Sequence, residues 1–414
     1  MAADPARARR LILLAAVAAL MLRMAFGLLY WTGKPLTHDE QEYLSLARSV
    51  SAGHGFIYHD TRDIGTAPQF GRAPAYPLFL TMIGAGTLAP PTSSPTRVKV
   101  AQSVVGALVV WLIGVIAMRA AGARAGVTAA AIAAIYPPLV WIGAYVLSET
   151  LYSALALGTV LLLDIAVARA DTQGNARGGA AAALVAGLLA GIAILVRPVM
   201  LFFLPFAAVW LWRRRRASLA LALIVTSAVL VAPWTARNYR VYGRFVLVAS
   251  EGGVTFWTGN HPLARGEGDL AANPAIKEAE VAFRAAHPGL TPEALEPIYY
   301  RDAWRSIAAR PGWWLGLVAR KAFYTVVPVG PSYTLHSMRY LALSVLSYVA
   351  LLGAAIFGVR FMPRPRRPVA LLLLAASTIV VSLIFFPQER FRIPVIDPTL
   401  IVCAAAGIRR LETR

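Results

Sequence analysis

The chain reads as an all-α polytopic membrane protein: a bundle of about ten transmembrane helices plus juxtamembrane helices on the outer face. Three observations predict the all-α membrane class. Residues of the AVILMFWYC set make up 58% of the 414 residues and charged residues only 14%, whereas soluble domains carry about 25% charge. The mean hydropathy is +0.61. Apolar runs near the ~20 residues that a spanning helix needs recur along the whole length. A water-soluble globular protein is excluded. Intrinsic disorder is excluded too, because it requires low hydrophobicity.

The runs fall at 11–30, 99–118, 126–143, 149–168, 180–196, 198–212, 218–235, 340–359, 368–386 and 393–409. Two more apolar stretches, 76–89 and 313–328, are interrupted by Pro77 in one case and by Arg320 and Lys321 in the other. They are expected to lie on the surface. The first run is too long for the apolar core of a signal peptide. All of 1–414 then forms one integral membrane domain with two long outer loops, 31–98 and 236–339.

The net charge is +20, from 40 Lys and Arg against 20 Asp and Glu. In an apolar chain this surplus marks the cationic loops that set membrane orientation, and no nucleic acid is expected. Arg7, Arg9 and Arg10 precede the first run, which places the N-terminus in the cytoplasm. Counting spans alternately then puts Arg119 and Arg124, Arg169 and Arg177, Arg213 to Arg216, the Arg360 to Arg367 group, and Arg409 and Arg410 all inside. Both termini are expected in the cytoplasm, with the long loops outside. The single cysteine, Cys403, permits no internal disulfide and no Cys-based zinc site.

Chemistry is expected on the long loops, since loops held by a rigid scaffold carry function. Directly after the first run comes Thr37-His38-Asp39-Glu40-Gln41-Glu42-Tyr43. Tyr43, Leu44, Leu46, Ala47 and Val50 form one apolar face, and Gly53 and Gly55 follow, so a surface helix is expected here. Thr37 and Glu40 fit a capping box, and Asp39 complements the helix dipole. A carboxylate at a helix start stays ionised, so Asp39, with Glu40 beside it, is a candidate catalytic base. His38 is a possible metal ligand, although a lone His is more often a polar surface residue.

Arginines on the outer face break the positive-inside pattern. Arg72, Arg197, Arg237, Arg390 and Arg392 sit near span ends. Together they suit a lipid phosphate, which a guanidinium grips through two parallel hydrogen bonds. Non-specific lipid contact is the plainer alternative. Glu149, at the outer start of the fourth run, and Asn238, beside Arg237, are candidates for the same pocket. Asp397 reads as a structural helix-start acid. In the second loop, glycines flank Trp257 and Asn260 over 252–262, which resembles a sugar-binding turn of an aromatic wall and a few polar groups. Thr291-Pro292-Glu293 reads as a helix start, with the helix running to about Ala309 before Pro311.

Taken together, these pieces resemble the polytopic GT-C glycosyltransferases that use polyprenyl-phosphate sugar donors, in particular the bacterial protein O-mannosyltransferase and aminoarabinose-transferase branch. The resemblance is carried by His38-Asp39-Glu40 with Tyr43, Arg72-Ala73-Pro74-Ala75-Tyr76-Pro77, Leu147-Ser148-Glu149-Thr150, Arg197-Pro198, Pro233 to Tyr239, Gly259-Asn260-His261-Pro262 and Arg390-Phe391-Arg392-Ile393-Pro394. Each piece is short. Their order, spacing and side of the membrane carry the likeness over nearly the whole chain.

The resemblance implies an inverting transfer of a hexosyl or pentosyl unit from a polyprenyl-phosphate donor to an acceptor hydroxyl, on the outer side of the inner membrane. Asp39 matches the position of the base. Arg237, Arg390 and Arg392, with Arg72 and Arg197, would hold the phosphate, and Tyr43, Glu149, Asn238, Trp257 and Asn260 would line the pocket. Some relatives in the fold use an Asp-x-Asp metal pattern. Here Asp39-Glu40 stands instead, so no metal cofactor is expected. The acceptor is a glycan, lipid or protein; the absence of a large C-terminal extramembrane domain weighs against protein. A lipid or sugar transporter would predict inverted repeats, which the sequence lacks. A polymerase or ligase for pyrophosphate-linked glycans would share the broad fold.

Overall fold

The computed structural model describes residues 4–56, 71–89, 91–172, 176–266, 273–327, 338–362 and 367–407. Among these the regular structure is helical. Two arginines of the Arg360 to Arg367 group, Arg364 and Arg366, lie outside the described residues, as do Arg409 and Arg410.

The membrane bundle is formed by α1 (Pro5–Tyr30), α4 (Thr96–Ala121), α7 (Glu149–Asp171), α8 (Ala176–Val196), α10 (Ala217–Tyr242) and α15 (Met338–Gly358). Each is long and apolar enough to cross a bilayer. A seventh unit is broken: α5 (Ala123–Ile135) and α6 (Pro137–Ala144) meet at 62°. Pro137 and Pro138 supply the break, since the residue before a proline is pushed out of the helical region. Three shorter apolar helices complete the set, α9 (Pro198–Arg213), α16 (Val369–Ile384) and α18 (Ile396–Ala406). Every apolar run read from sequence is therefore a helix. Among the described residues six of them, or seven if the bent pair is one span, meet the length of a full span.

The two interrupted stretches form short helices. α3 (Ala75–Met82) has 8 residues and α14 (Pro311–Val326) has 16. At 1.5 Å per residue neither covers a ~30 Å hydrocarbon layer.

Close packing rests on small residues, as expected between helices in lipid. α7 lies along α8, and α8 along α10. A Cβ on Gly187 would stand 2.8 Å from the Leu223 carbonyl oxygen, and one on Gly191 2.9 Å from Leu230 Cβ, so either substitution would force the two helices apart. α1 packs on α4 and α5, and α15 on α18.

The first long loop carries α2 (His38–Ser51), whose N-terminus is capped as expected. The Thr37 amide donates to Glu40 Oε2 at 2.8 Å, and the Glu40 amide donates to Thr37 Oγ1 at 3.4 Å. The helix ends before Gly53, whose φ of +78° lies in the left-handed region. The second loop builds α11 (Gly252–Asn260), α12 (Pro274–Ala285) and α13 (Pro292–Ala309), which runs between the residues read from sequence. These helices have their own apolar core of Phe256, Trp257, Ile276, Leu295, Tyr299, Ala303, Ile307 and Leu317.

The stretch 252–262 corrects an expectation. The sequence likens it to a sugar-binding turn, whereas Gly252–Asn260 forms a helix with Trp257 and Asn260 buried. Trp257 is 2% exposed and donates through Nε1 to Asp302 at 2.7 Å. Asn260 is fully buried. Glycines at 252, 253 and 259 serve close helix packing here rather than a turn.

Both long loops lie on one face of the bundle. The Ser250 amide donates to the Gly71 carbonyl at 2.8 Å, and Arg72 Nε stands 3.7 Å from Glu251 Oε1.

Candidate active site

Where the two loops meet the ends of the bundle, charged side chains converge on Asp39. Its Oδ1 lies 2.7 Å from Arg72 Nη2 and its Oδ2 lies 2.6 Å from Arg390 Nη1. Arg72 also binds Glu42, with Nε to Oε2 at 2.6 Å. Asp39 and Glu42 are three residues apart and so share one face of α2. Arg72 stacks over the Tyr43 ring at 4.8 Å.

A second layer lies just inside. Arg197 Nη1 is 2.7 Å from Glu149 Oε1 and 3.1 Å from Ser148 Oγ. Arg390 Nε is 3.8 Å from the same Glu149 oxygen. The Phe391 ring has Arg197 at 4.9 Å and Arg390 at 5.4 Å, a cation–π contact on each. Arg390 further donates to Gln388 at 2.8 Å. Tyr43 OH reaches Ser148 Oγ at 3.5 Å, joining the two layers.

The sequence supports this placement locally. Pro74 and Pro77 stiffen the segment after Arg72. Arg197 is followed by Pro198, which opens α9. Arg390 sits on α17 (Glu389–Arg392), a single turn between α16 and α18. Each arginine is thus fixed at a break between helices, where its side chain reaches sideways into the cluster at this end of the bundle, called the mouth below.

Burial would raise the Asp39 carboxyl, but Arg390 and Arg72 outweigh it and hold the group well below the usual carboxylate range. Glu40 behaves differently. It is 1% exposed. One oxygen accepts from Thr37 and the other accepts from the Val146 amide at 2.8 Å. Burial pushes its carboxyl up despite these bonds. Glu251 is also raised by burial and by the neighbouring Glu42 and Asp39, with Arg72 opposing.

Several residues singled out in the sequence are placed elsewhere. Arg392 points inward, with Nε 2.8 Å from Asp397 and its guanidinium 3.5 Å from the centre of the Tyr348 ring. The other Asp397 oxygen accepts from Tyr136 at 3.0 Å. Arg237 stacks on Trp234 and Tyr242 and donates to Asn238 at 3.2 Å. Asn238 holds the carbonyls of Val246 and Val248. The Asn260 amide donates to Phe256 and Ile384, while its oxygen accepts from Trp314 and Lys321. These side chains tie the bundle and the second loop together. Glu42 and Glu251 belong to the cluster and were not singled out. The three-residue step from Asp39 signals Glu42; Glu251 has no local signal.

His38, Asp39 and Glu42 offer ligand atoms within 4.8 Å of one another. A divalent cation there would share Asp39 with two guanidiniums already at 2.6 and 2.7 Å. As arranged, the carboxylate is neutralised by arginine, and the set does not fit a resident metal.

No protein-family model matches the chain, and no curated protein matches its sequence. Solved structures do. The archaeal oligosaccharyltransferase AglB from Archaeoglobus fulgidus, in complex with an inhibitory peptide and a dolichol-phosphate, aligns with 98% of this chain at a TM-score of 0.59 and 17% identity. The same enzyme complexed with zinc and sulfate aligns with 97% at 0.58. The chain spans about half the length of these proteins, 50% and 49%. ArnT from Cupriavidus metallidurans bound to undecaprenyl phosphate aligns at 0.44 and 15% identity over 97% of this chain and 78% of its own. The bundle of long apolar helices, with the two large loops meeting on one face, shares the GT-C fold of these AglB structures.

Proposed function

We propose that the chain is a membrane glycosyltransferase that moves a sugar from a polyprenyl-phosphate donor to an acceptor hydroxyl outside the cytoplasmic membrane. The observation that carries this reading is Asp39 held between Arg390 and Arg72 at the bundle mouth, with Arg197 beside them. A carboxylate beside several guanidiniums suits a base and a phosphate clamp. The fold adds support, since AglB carries a dolichol-phosphate in one of its structures. The cationic loops on the opposite face support an inner-membrane orientation with both termini in the cytoplasm.

The resting cluster also implies an order of events. A carboxylate paired with two arginines is a weak base. An incoming donor phosphate competes for Arg390 and Arg197 with charge-assisted hydrogen bonds. As Arg390 turns to the phosphate, Asp39 loses a stabilising charge and becomes more basic. Asp39 then accepts the proton of the acceptor hydroxyl while the oxygen attacks the anomeric carbon. The bond from that carbon to the phosphate oxygen breaks, and its electron pair leaves with the polyprenyl phosphate. The arginines stabilise the charge that develops there. Attack opposite the leaving group inverts the anomeric centre. Glu40, with both oxygens engaged, holds α2 in place, so the base is Asp39.

The test is purified protein in lipid nanodiscs supplied with a polyprenyl-phosphate sugar. Release of free polyprenyl phosphate that depends on Asp39 supports the reading, and release unchanged in Asp39→Asn overturns it.

A further inference from the structure

Arg23 lies inside the membrane bundle on α1 and is 3% exposed. Its guanidinium donates to the carbonyls of Ala133 and Ala134 at 3.1 Å each, and to Ala19 at 3.3 Å. Ala133 and Ala134 belong to the last turn of α5, whose carbonyls lose their helical partners at the break before Pro137. Arg23 therefore caps a broken helix. Gly106 on α4 provides the room, because a Cβ there would stand 2.9 Å from Arg23 Cδ and Nε.

Beside this contact is a small cavity of about 10 Å³ lined by Arg23, Gly106, Glu149, Thr150, Ser153 and Pro394, among others. Glu149 is 1% exposed. Its ion pair with Arg197 is close but off hydrogen-bond alignment, and neither carboxylate oxygen receives a hydrogen bond from the described residues. Among the described residues the Thr150 hydroxyl, which lines the same space, has no hydrogen-bond partner. Ser153 Oγ donates to the Pro394 carbonyl at 2.7 Å and keeps acceptor capacity. A cavity of this size holds one water when two to four polar groups surround it.

We infer that this cavity binds one water between Arg23 and Glu149, and that Arg23 is a positioning residue for the outer arginine clamp. Glu149 faces the cavity on one side and Arg197 and Arg390 on the other. A water donating to Glu149 and accepting from Arg23 fixes the carboxylate, and the carboxylate fixes the two arginines. The capped end of α5 is thereby linked to the mouth. The functional half of this inference rests on the donor-phosphate reading; the coupling between Arg23 and Glu149 does not.

Two double-variant cycles on the full-length protein in nanodiscs separate the halves. The first reads thermal stability in Arg23→Met, Glu149→Gln and the double variant. The expected result is a double variant that loses less than the sum of the singles. The second reads binding of undecaprenyl phosphate in Arg23→Met, Arg197→Met and both together. Arg23→Met is expected to weaken it about three- to thirtyfold, Arg23→Lys to restore most of it, and the pair to be non-additive. Additive losses in the stability cycle overturn the inference. Coupled stability with unchanged lipid binding keeps the water-linked pair and overturns the positioning role. If Arg23→Met does not fold, Gly106→Ala and Thr150→Val take its place in both cycles with the same expected and overturning results.

Discussion

Two arginines two residues apart, Arg390 and Arg392, do different work. Arg390 reaches the mouth, where Asp39 and Glu149 share it. Arg392 is buried against Asp397 and Tyr348. Arg390→Ala is therefore expected to weaken donor binding by about 1.5–3 kcal/mol, the value of a charge-assisted contact, with little change in thermal stability. Arg392→Ala leaves the Asp397 carboxylate buried without its cation and is expected to destabilise the fold by about 3–5 kcal/mol. Lipid-phosphate titration and thermal unfolding on the same two variants check both. Equal effects in both assays would contradict the division.

Asp39→Asn is expected to lower transfer by about 10²–10⁴, the usual worth of a general base. Because the same change removes a carboxylate that competes for Arg390 and Arg72, polyprenyl-phosphate binding should stay as tight as in the wild type or become tighter. Weakened binding in that variant would argue for a structural role instead. Thr37 and Glu40 cap the helix without Asp39, so α2 itself should remain intact. The pH dependence follows in sign. The Asp39 carboxyl is held below its unfolded value, so its contribution to stability is full above the ordinary carboxylate range and is lost only as pH falls through the depressed folded value. The stability gap between wild type and Asp39→Asn should therefore stay flat from about pH 8 to pH 5 and close only in stronger acid. A gap that closes between those values would show that the arginines do not hold the group.

At the scale of elements, the second loop depends on one buried node. Asn260 on α11 accepts from Lys321 on α14 at 3.0 Å and from Trp314 at 3.0 Å, and donates to the end of α16 at 2.9 Å. Lys321 is fully buried and also donates to the Leu383 carbonyl at 3.2 Å. Asn260→Leu strips the buried Lys321 amine of a side-chain acceptor, at an expected cost of about 1–3 kcal/mol in stability. Sugar recognition by Asn260 would instead raise the substrate KM with unchanged stability. Thermal unfolding beside steady-state kinetics tells the two apart. The end of α16 leads directly into Gln388 and Arg390, so this node also sets where the clamp arginine begins.

The whole molecule tests orientation. In a Cys403→Ala background, His54→Cys after α2 and Leu263→Cys after α11 should both react with a membrane-impermeant maleimide in intact cells. Arg215→Cys, between α9 and α10, should react only after permeabilisation. Labelling of only one of the first two would contradict the meeting of the loops at Gly71 and Ser250.

Much of this architecture was legible in the amino-acid sequence for a physical reason. Bilayer thickness imposes a length on every apolar run, so the signal for a membrane helix is local along the chain. The capping box at Thr37 and Glu40 and the helix from Pro292 to Ala309 were legible because a helix end is settled by its own few residues. What only the tertiary structure decided concerns side chains that meet from distant elements. That Glu40 turns to the Val146 amide, that Arg392 faces Asp397 while Arg390 faces Asp39, and that Trp257 and Asn260 are packed inside depends on partners up to 261 residues apart, as in the Tyr136 to Asp397 bond. A guanidinium near a span end has the same local pattern whether it faces the mouth or the bundle. The direction is set by the breaks at Pro137, Pro198 and the turn before α18, where unsatisfied backbone groups and buried acids compete for it.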